Sequence, residues 1–293
     1  MDNNVQQKNI CEETSQRLLS IYPDIIIARR KALLLLEKIT GKSRTKLLAT
    51  RFLVLTTGEH QELTRLLEMV TVHHLPLQYA LGSMPFLNVE LDIRPPILIP
   101  RPETEAWCAL LIHKLRPLVP HIPHFAILDI CSGSGCVALA LAQAFPMATV
   151  LGLDISPLAI QLAEHNTQKN RIKNCQFLCS DLYTALPKHK TFDLIVTNPP
   201  YIAPEDFAHL DAEIRWWEDR QALVAENRGF ALIEKIVTHA PHYLRNSHLG
   251  ALWCEIGATQ ASTTSEFFTR SGFGTITVIK DLSGHDRVVV GAL

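Results

Sequence analysis

The 293-residue sequence has no surplus of either charge: 28 lysines and arginines stand against 29 aspartates and glutamates, so 28 − 29 = −1. General nucleic-acid binders carry a basic excess, and that class is disfavoured, a local basic patch apart. Paired cysteines are missing too. The seven cysteines are odd in number, and none forms a C-x-x-C pair. Cys175 and Cys179 would stand about 13 Å apart along a strand, too far to share a metal or a disulfide. They read as reduced thiols of a cytosolic protein. His121 and His124 fall in a proline-flanked loop and read as solvated, so no metal site is expected. The opening MDNNVQQKNICEE has neither an apolar signal core nor a basic transit character, which points to the cytoplasm. Internal repeats and low-complexity tracts are also lacking. Formal charge is absent over the 24 residues between Asp129 and Asp154, a length that could span a membrane. That stretch holds Ser132, Ser134, Gln143, Pro146 and three glycines. It reads as a buried strand, turn, helix and strand, with no membrane association.

What the chain has is apolar bulk: 47% hydrophobic against 19% charged residues. That excludes a disordered chain, and the length suffices for one large or two modest domains. Residues 1–75 read as a small helical domain. Leu63, Leu66, Leu67 and Val70 follow the i, i+3, i+4, i+7 spacing of an amphipathic helix. A longer helix is expected from Ile25 to Ile39, after Pro23-Asp24, and Gly41 and Gly58 are read as helix ends. Residues 76–100 read as a connector with a β-hairpin, from the alternation of Phe86, Val89, Leu91 and Ile93. A third segment, 101–293, opens on a helix at Arg101-Pro102-Glu103-Thr104-Glu105, where an early proline and acids suit a helix N-terminus.

From Phe125 the pattern alternates. Strands are expected at Ala126–Ile130, Thr149–Asp154, Cys175–Cys179, Phe192–Thr197 and Ala251–Ile256. Helices are expected at Val137–Ala144, Pro157–Lys169, Gly229–Leu244 and Gln260–Ser271. This is the signature of an α/β, doubly wound, mostly parallel sheet. Thr275–Lys280 and Arg287–Gly291 are strand-like with no helix between them, so the sheet should end in an antiparallel pair.

Two stretches carry chemistry. The run Asp129-Ile130-Cys131-Ser132-Gly133-Ser134-Gly135 passes from strand to glycine turn to helix, and Asp154 ends the next strand. Such a turn suits a carboxylate or phosphate at the helix N-terminus, and Asp154 suits the two hydroxyls of a ribose. The spacing fits a dinucleotide as well as an adenosyl cofactor, and a plain turn is the third reading. Asp129, Asp154 and Asp181 around one cleft would repel pyrophosphate and accept a sulfonium, which favours S-adenosylmethionine. Asp129 and Asp181 could instead simply cap turns.

The second stretch, Asn198-Pro199-Pro200-Tyr201, follows a strand directly. The prolines stiffen it and hold Asn198 extended. It presents a side-chain amide, carbonyls and a ring, a set suited to an unactivated –NH₂ group. The Asn198 side-chain oxygen could accept one proton of that group and the Pro199 carbonyl the other, with Tyr201 packed on its plane. Both acceptors bind more strongly as the nitrogen gains positive charge, which stabilises the transition state selectively.

These residues, with Ile97-Leu98-Ile99-Pro100-Arg101-Pro102-Glu103-Thr104-Glu105, resemble the glutamine N5-methyltransferases of peptide-chain release factors (the HemK/PrmC family) over most of the chain. The resemblance implies a class I, Rossmann-like, seven-stranded methyltransferase fold behind a helical substrate-docking domain. It implies methyl transfer from S-adenosylmethionine to the glutamine of a Gly-Gly-Gln loop in a release factor. By position, Asp129, Cys131, Ser132, Gly133, Ser134, Gly135, Asp154, Asp181, Leu182 and Asn198 would hold the cofactor. Asn198, Pro199, Pro200 and Tyr201 would frame the glutamine, with Asn198, Pro199 and Tyr201 as catalytic groups. The expected partner is the release factor alone, with no direct nucleic-acid contact, and the chain is taken as a monomer.

Three positions depart from the family pattern. The family usually has glycine where Cys131 stands, which weakens cofactor binding if that position needs a positive φ. It often has an aromatic where Leu182 stands. Arg215-Trp216-Trp217-Glu218-Asp219-Arg220-Gln221-Ala222-Leu223 matches only loosely, with Trp216 and Trp217 either touching substrate or packing. The competing readings are a methyltransferase for a ribosomal glutamine or a nucleic-acid base, a nicotinamide-dependent oxidoreductase, and a silent release-factor-binding module.

Overall fold

A computed structural model describes residues 10–50, 53–119, 122, 124–245 and 250–293. The first nine residues and His121 lie outside that set. The chain divides into two units. One runs through Gly82 and also takes in Ala212–Trp217; the other holds Ser83–Asp211 and Glu218–Leu293.

The first unit is helical: α1 (Ile10–Leu18), α2 (Ile25–Thr40), α3 (Arg44–Ala49), α4 (Thr57–Thr71) and α5 (Leu77–Leu81). Asp24 starts α2 by accepting hydrogen bonds from the Ile26 and Ile27 N–H groups, and Gly41 closes it. The expected apolar stripe of α4 is buried as Leu63, Leu66, Leu67 and Val70. Gly58 ends no helix. It lies in the first turn of α4, because a reciprocal Thr56–Glu59 capping box sets the start just upstream. The downstream helix Ala212–Trp217 is bound into this unit by three contacts. The Tyr22 phenol bonds Glu213, the Trp217 indole N–H donates to the His73 carbonyl at 2.9 Å, and Trp216 meets the His74 ring edge-on at 5.1 Å.

The second unit opens on the hairpin β1 (Ser83–Phe86) and β2 (Val89–Asp92). Then come α6 (Pro102–Leu115), β3 (Ala126–Ile130), α7 (Cys136–Ala144), β4 (Thr149–Asp154), α8 (Pro157–Lys169), β5 (Cys175–Cys179) and β6 (Leu194–Thr197). The Ala212–Trp217 helix is α9 in chain order, followed by α10 (Arg220–Leu223), α11 (Ala231–His239), β7 (Ala251–Glu255), α12 (Ala261–Arg270), β8 (Thr275–Lys280) and β9 (Asp286–Ala292). Four expected elements shorten, the helix expected over Gln260–Ser271 running from Ala261 to Arg270. Phe192 makes only an isolated bridge to Leu244 ahead of β6. The helix expected over Gly229–Leu244 begins at Ala231, and Pro241, which cannot donate to an α-helical ladder, turns its end into a 3-10 turn. Strand β7 stops at Glu255.

The seven strands lie in the order β5-β4-β3-β6-β7-β9-β8. Strands β3 to β7 pair in parallel, and β9 runs antiparallel to both β7 and β8. Period-two alternation divides the core between two faces. Ile127, Val196 and Trp253 join α6, α7 and the hairpin on one side. Leu128, Ile195, Leu252 and Cys254 join α11 and α12 on the other. Strand order reverses between β3 and β6, and the carboxyl ends of the strands beside that reversal form the crevice where such sheets bind ligands.

Candidate active site

The crevice holds two adjoining cavities. The larger is lined by Cys131 and Gly133 after β3, Asp154 at the end of β4, Ser180, Asp181 and Leu182 after β5, and Asn198 and Pro200 after β6. Ile97, Leu98, Ile130, Leu153, Ala222 and Leu232 supply its apolar walls. The smaller lies against Thr104, Asp129, Ser132 and Ser134, and shares Leu98, Cys131, Gly133 and Asn198 with the larger. Ten of the expected site residues therefore line one space or both. Gly135, Pro199 and Tyr201 line neither.

Gly135 serves the turn itself. It caps α7 at φ +82°, and an added Cβ would meet the Phe177 ring at 2.8 Å. Tyr201 is held by its backbone: its carbonyl accepts from the Gln260 side chain at 2.9 Å. At Gly229, with φ +86°, any side chain would collide with that same carbonyl. The ring is largely buried, and burial pushes its hydroxyl up to about 12. The expected stacking of Tyr201 on a planar substrate group is thus not built into these cavity walls.

Acids dominate the polar lining. Asp154 accepts from Gly133 N–H at 2.8 Å with one oxygen and from Ser156 N–H at 2.9 Å with the other. It fastens the glycine turn to β4 and lines the larger cavity. Asp129 is buried and accepts from Ala138 N–H in the first turn of α7. Burial pushes its carboxyl up to about 8 against that hydrogen bond, with Asp154 adding to the rise. Asp219, which no motif in the sequence singles out, also lines the larger cavity. No lysine or arginine among the described residues does so. Asp154, Asp181 and Asp219 without a base disfavour a pyrophosphate and suit a cation, and a bound cation would draw Asp129 into its ionised form.

Cys131 meets the condition set by the sequence. Its φ is +61°, in the left-handed region where a Cβ costs about 1–2 kcal/mol. Burial pushes its thiol well above the ordinary value, so it presents a small apolar wall and not a thiolate. Leu182 shares the same backbone region at φ +48°.

Several positioning groups carry no signal in the sequence. Asn166, fully buried in α8, donates to the carbonyls of Ser134 and Asp92 and accepts from Asp92 N–H. It clips the glycine turn and the hairpin to one helix. Arg101 pairs with buried Glu218 at 2.6 Å. Asp219 N–H donates to the Pro96 carbonyl at 2.8 Å. The loosely matching Glu218-Asp219 segment is thereby anchored to the proline-rich approach to α6. Trp217 and Trp216 contact His73 and His74 of the helical unit, and Trp216 stays exposed. A charged pair spaced as far apart in sequence as Arg101 and Glu218 leaves no local signature.

Two family models match the chain: the PrmC N-terminal domain over residues 10–82 and the methyltransferase small domain over residues 108–214. The release factor glutamine methyltransferase of Thermodesulfovibrio yellowstonii is 37% identical, over 73% of this chain and 75% of its own. That of Bordetella pertussis is 34% identical over 94% of this chain and 99% of its own. The chain belongs to the release factor glutamine methyltransferase family. Among solved structures, the catalytic domain of hMettl16 superposes with a TM-score of 0.55 at 15% identity, covering 80% of this chain and 81% of that one. At that identity the likeness extends to the Rossmann-like fold alone. In this family member the start of the Asn-Pro-Pro-Tyr turn and the glycine turn after β3 border the same acid-lined space.

Proposed function

We propose that the chain transfers a methyl group from S-adenosylmethionine to the side-chain amide nitrogen of the glutamine in a release factor's Gly-Gly-Gln loop. The observation that carries this reading is the position of Asn198. It borders both cavities, at the carboxyl end of β6, beside an acid-lined cleft without bases. The residues fit the cofactor by three features. The crevice is anionic and suits a sulfonium. Asp154 brings to the larger cavity a carboxylate able to accept from ribose hydroxyls. The buried Ser132 hydroxyl has no hydrogen-bond partner among the described residues and lies in the smaller cavity. Asp129, Ser132, Gly133 and Ser134 would hold the methionine end, Asp154 the ribose, and Asp181 with Leu182 the adenine side. When bound, the cofactor supplies an electrophilic methyl group. The protein's own part is to orient the amide. Asn198 Oδ1 and the Pro199 carbonyl accept its two protons and bind more strongly as the nitrogen becomes cationic. The helical unit is assigned to gripping the release factor, and the protein is taken to work as a cytoplasmic monomer.

The test is methyl transfer from labelled S-adenosylmethionine to a purified release factor, with a Gly-Gly-Ala substrate as control. Label that requires the glutamine is expected; label on both substrates would overturn the assignment.

The crevice also makes a prediction about protons. A cationic ligand binds ionised Asp129, yet the free protein holds that carboxyl protonated below about pH 8. Binding therefore expels a proton. Cofactor affinity should rise about tenfold between roughly pH 6 and 7. Calorimetry in buffers of different ionisation enthalpy should read the release, and Asp129→Asn should abolish it. Release that persists in the variant would remove Asp129 from the cationic subsite.

A further inference from the structure

Asn198 has two faces that look alike in shape and opposite in chemistry. Its oxygen accepts and its nitrogen donates, and the proposed reaction needs the oxygen toward the substrate. Nothing in Asn198 itself decides which end points where. The decision is made by a chain of buried groups from two other elements. The indole N–H of Trp107 in α6 donates to Glu255 Oε2 at 2.6 Å. The hydroxyl of Thr104, one turn earlier in α6, donates to the same oxygen at 2.7 Å. Asn198 Nδ2 then donates to Thr104 Oγ1 at 3.1 Å. Thr104 and Glu255 are 2% and 1% exposed, so water does not compete for these bonds.

With Glu255 ionised, the form that the Trp107 and Thr104 hydrogen bonds favour against the upward push of its burial, the polarity of the chain is forced. An indole nitrogen only donates, so the atom facing Trp107 must be an acceptor. Thr104 has a single hydroxyl proton, and Glu255 takes it. Its oxygen can then only accept, so the Asn198 end that faces it must be the –NH₂. The reversed amide would set two acceptor oxygens against each other in a buried site, leaving both unpaired.

We infer that Glu255 and Thr104 form a positioning relay that keeps Asn198 Oδ1 available to accept from the substrate nitrogen. The inference rests on the amide-methylation reading above. It gives a role to Thr104 in Arg101-Pro102-Glu103-Thr104-Glu105 and to Glu255 at the end of β7. Neither residue needs to touch the substrate.

The relay has a distinctive response to substitution. Thr104→Val keeps the shape and removes the acceptor. The Asn198 –NH₂ then has no partner on that side and can turn toward Asp129, which borders the same small cavity. Thr104→Ser keeps the hydroxyl. Glu255→Gln keeps an acceptor oxygen, because Trp107 still demands one there, whereas Glu255→Leu removes it.

The experiment measures kcat and KM for a release factor, cofactor affinity by calorimetry, and melting temperature, for wild type and all four variants. Thr104→Val is expected to lower kcat roughly 10- to 100-fold with cofactor affinity within about threefold of wild type. Thr104→Ser and Glu255→Gln should stay within about fivefold of wild type in kcat. Glu255→Leu should follow Thr104→Val if it folds, and the Thr104 pair decides the matter if it does not. A Thr104→Val enzyme with wild-type kcat would overturn the relay. So would a Thr104→Ser enzyme as slow as Thr104→Val, since shape and not polarity would then be at work. A wild-type protein that labels no glutamine would instead reject the underlying function.

Discussion

Asn198→Ala is expected to lower kcat about a thousandfold, with the melting temperature nearly unchanged. The side chain is only half-buried, and its one hydrogen bond given by the structure runs to Thr104, so the fold loses little. The reaction loses much more. Removing a single fixed dipole aimed at developing charge costs roughly 10² to 10³ in rate in other enzymes. Here the lost group also orients the nucleophile, which adds to the loss. The Pro199 carbonyl alone would leave the –NH₂ group free to rotate about that single bond. Cofactor affinity should change far less than kcat, because Asp129, Asp154 and the glycine turn are untouched. A variant within about tenfold of the wild-type rate would remove Asn198 from the catalytic role.

The second large effect is on binding. Asp154→Ala should weaken S-adenosylmethionine about a hundredfold, as two charge-assisted hydrogen bonds to ribose hydroxyls of about 1.5 kcal/mol or more each are lost together. The same carboxylate holds Gly133 N–H and Ser156 N–H, so the glycine turn also loses its anchor to β4. Burial raises the Asp154 carboxyl from its ordinary value, opposed by those N–H groups. Replacement therefore relieves some desolvation, and the folded protein should tolerate it. Calorimetry on Asp154→Ala and Asp154→Asn separates the parts. The amide keeps one acceptor and should fall between alanine and wild type. Equal affinity across the three proteins would take Asp154 out of the site.

Much of the fold is legible in local chemistry alone. Strands β3, β4 and β5 and helix α8 fall on their expected residues; buried β3 is an unbroken apolar run up to Asp129, and α8 opens on the Ser156-Pro157 cap. The turn at Asp129–Gly135 and the segment at Asn198–Tyr201 announce themselves through residue types that few other backbones tolerate. What stays illegible depends on sequence-distant partners. Glu255 looks like one more acid at a strand end, and only folding brings it within 2.7 Å of Thr104, 151 residues away. Arg101 and Glu218 meet across 117 residues. Asp219 reaches the crevice because a backbone bond to Pro96 ties its loop there. Tyr201 follows in the same motif as Asn198, yet like Pro199 it lines neither cavity, and the motif alone does not say how close its ring comes to a substrate.

The helix Ala212–Trp217 has a consequence for how the protein can be taken apart. Its flanking residues, Asp211 and Glu218, belong to the sheet-bearing unit, while its own contacts are with Tyr22, His73 and His74. The polypeptide therefore crosses between the units three times: after Gly82, after Asp211 and after Trp217. A single protease cut after Gly82 still leaves residues 212–217 of the helical unit covalently part of the sheet-bearing segment. Truncation at Gly82 produces a helical fragment missing one of its own helices and a remainder carrying two stranded tryptophans. The helical unit is discontinuous in sequence, and gene fusions, truncations and chimaeras of this family member have to exchange residues 212–217 along with the N-terminal segment.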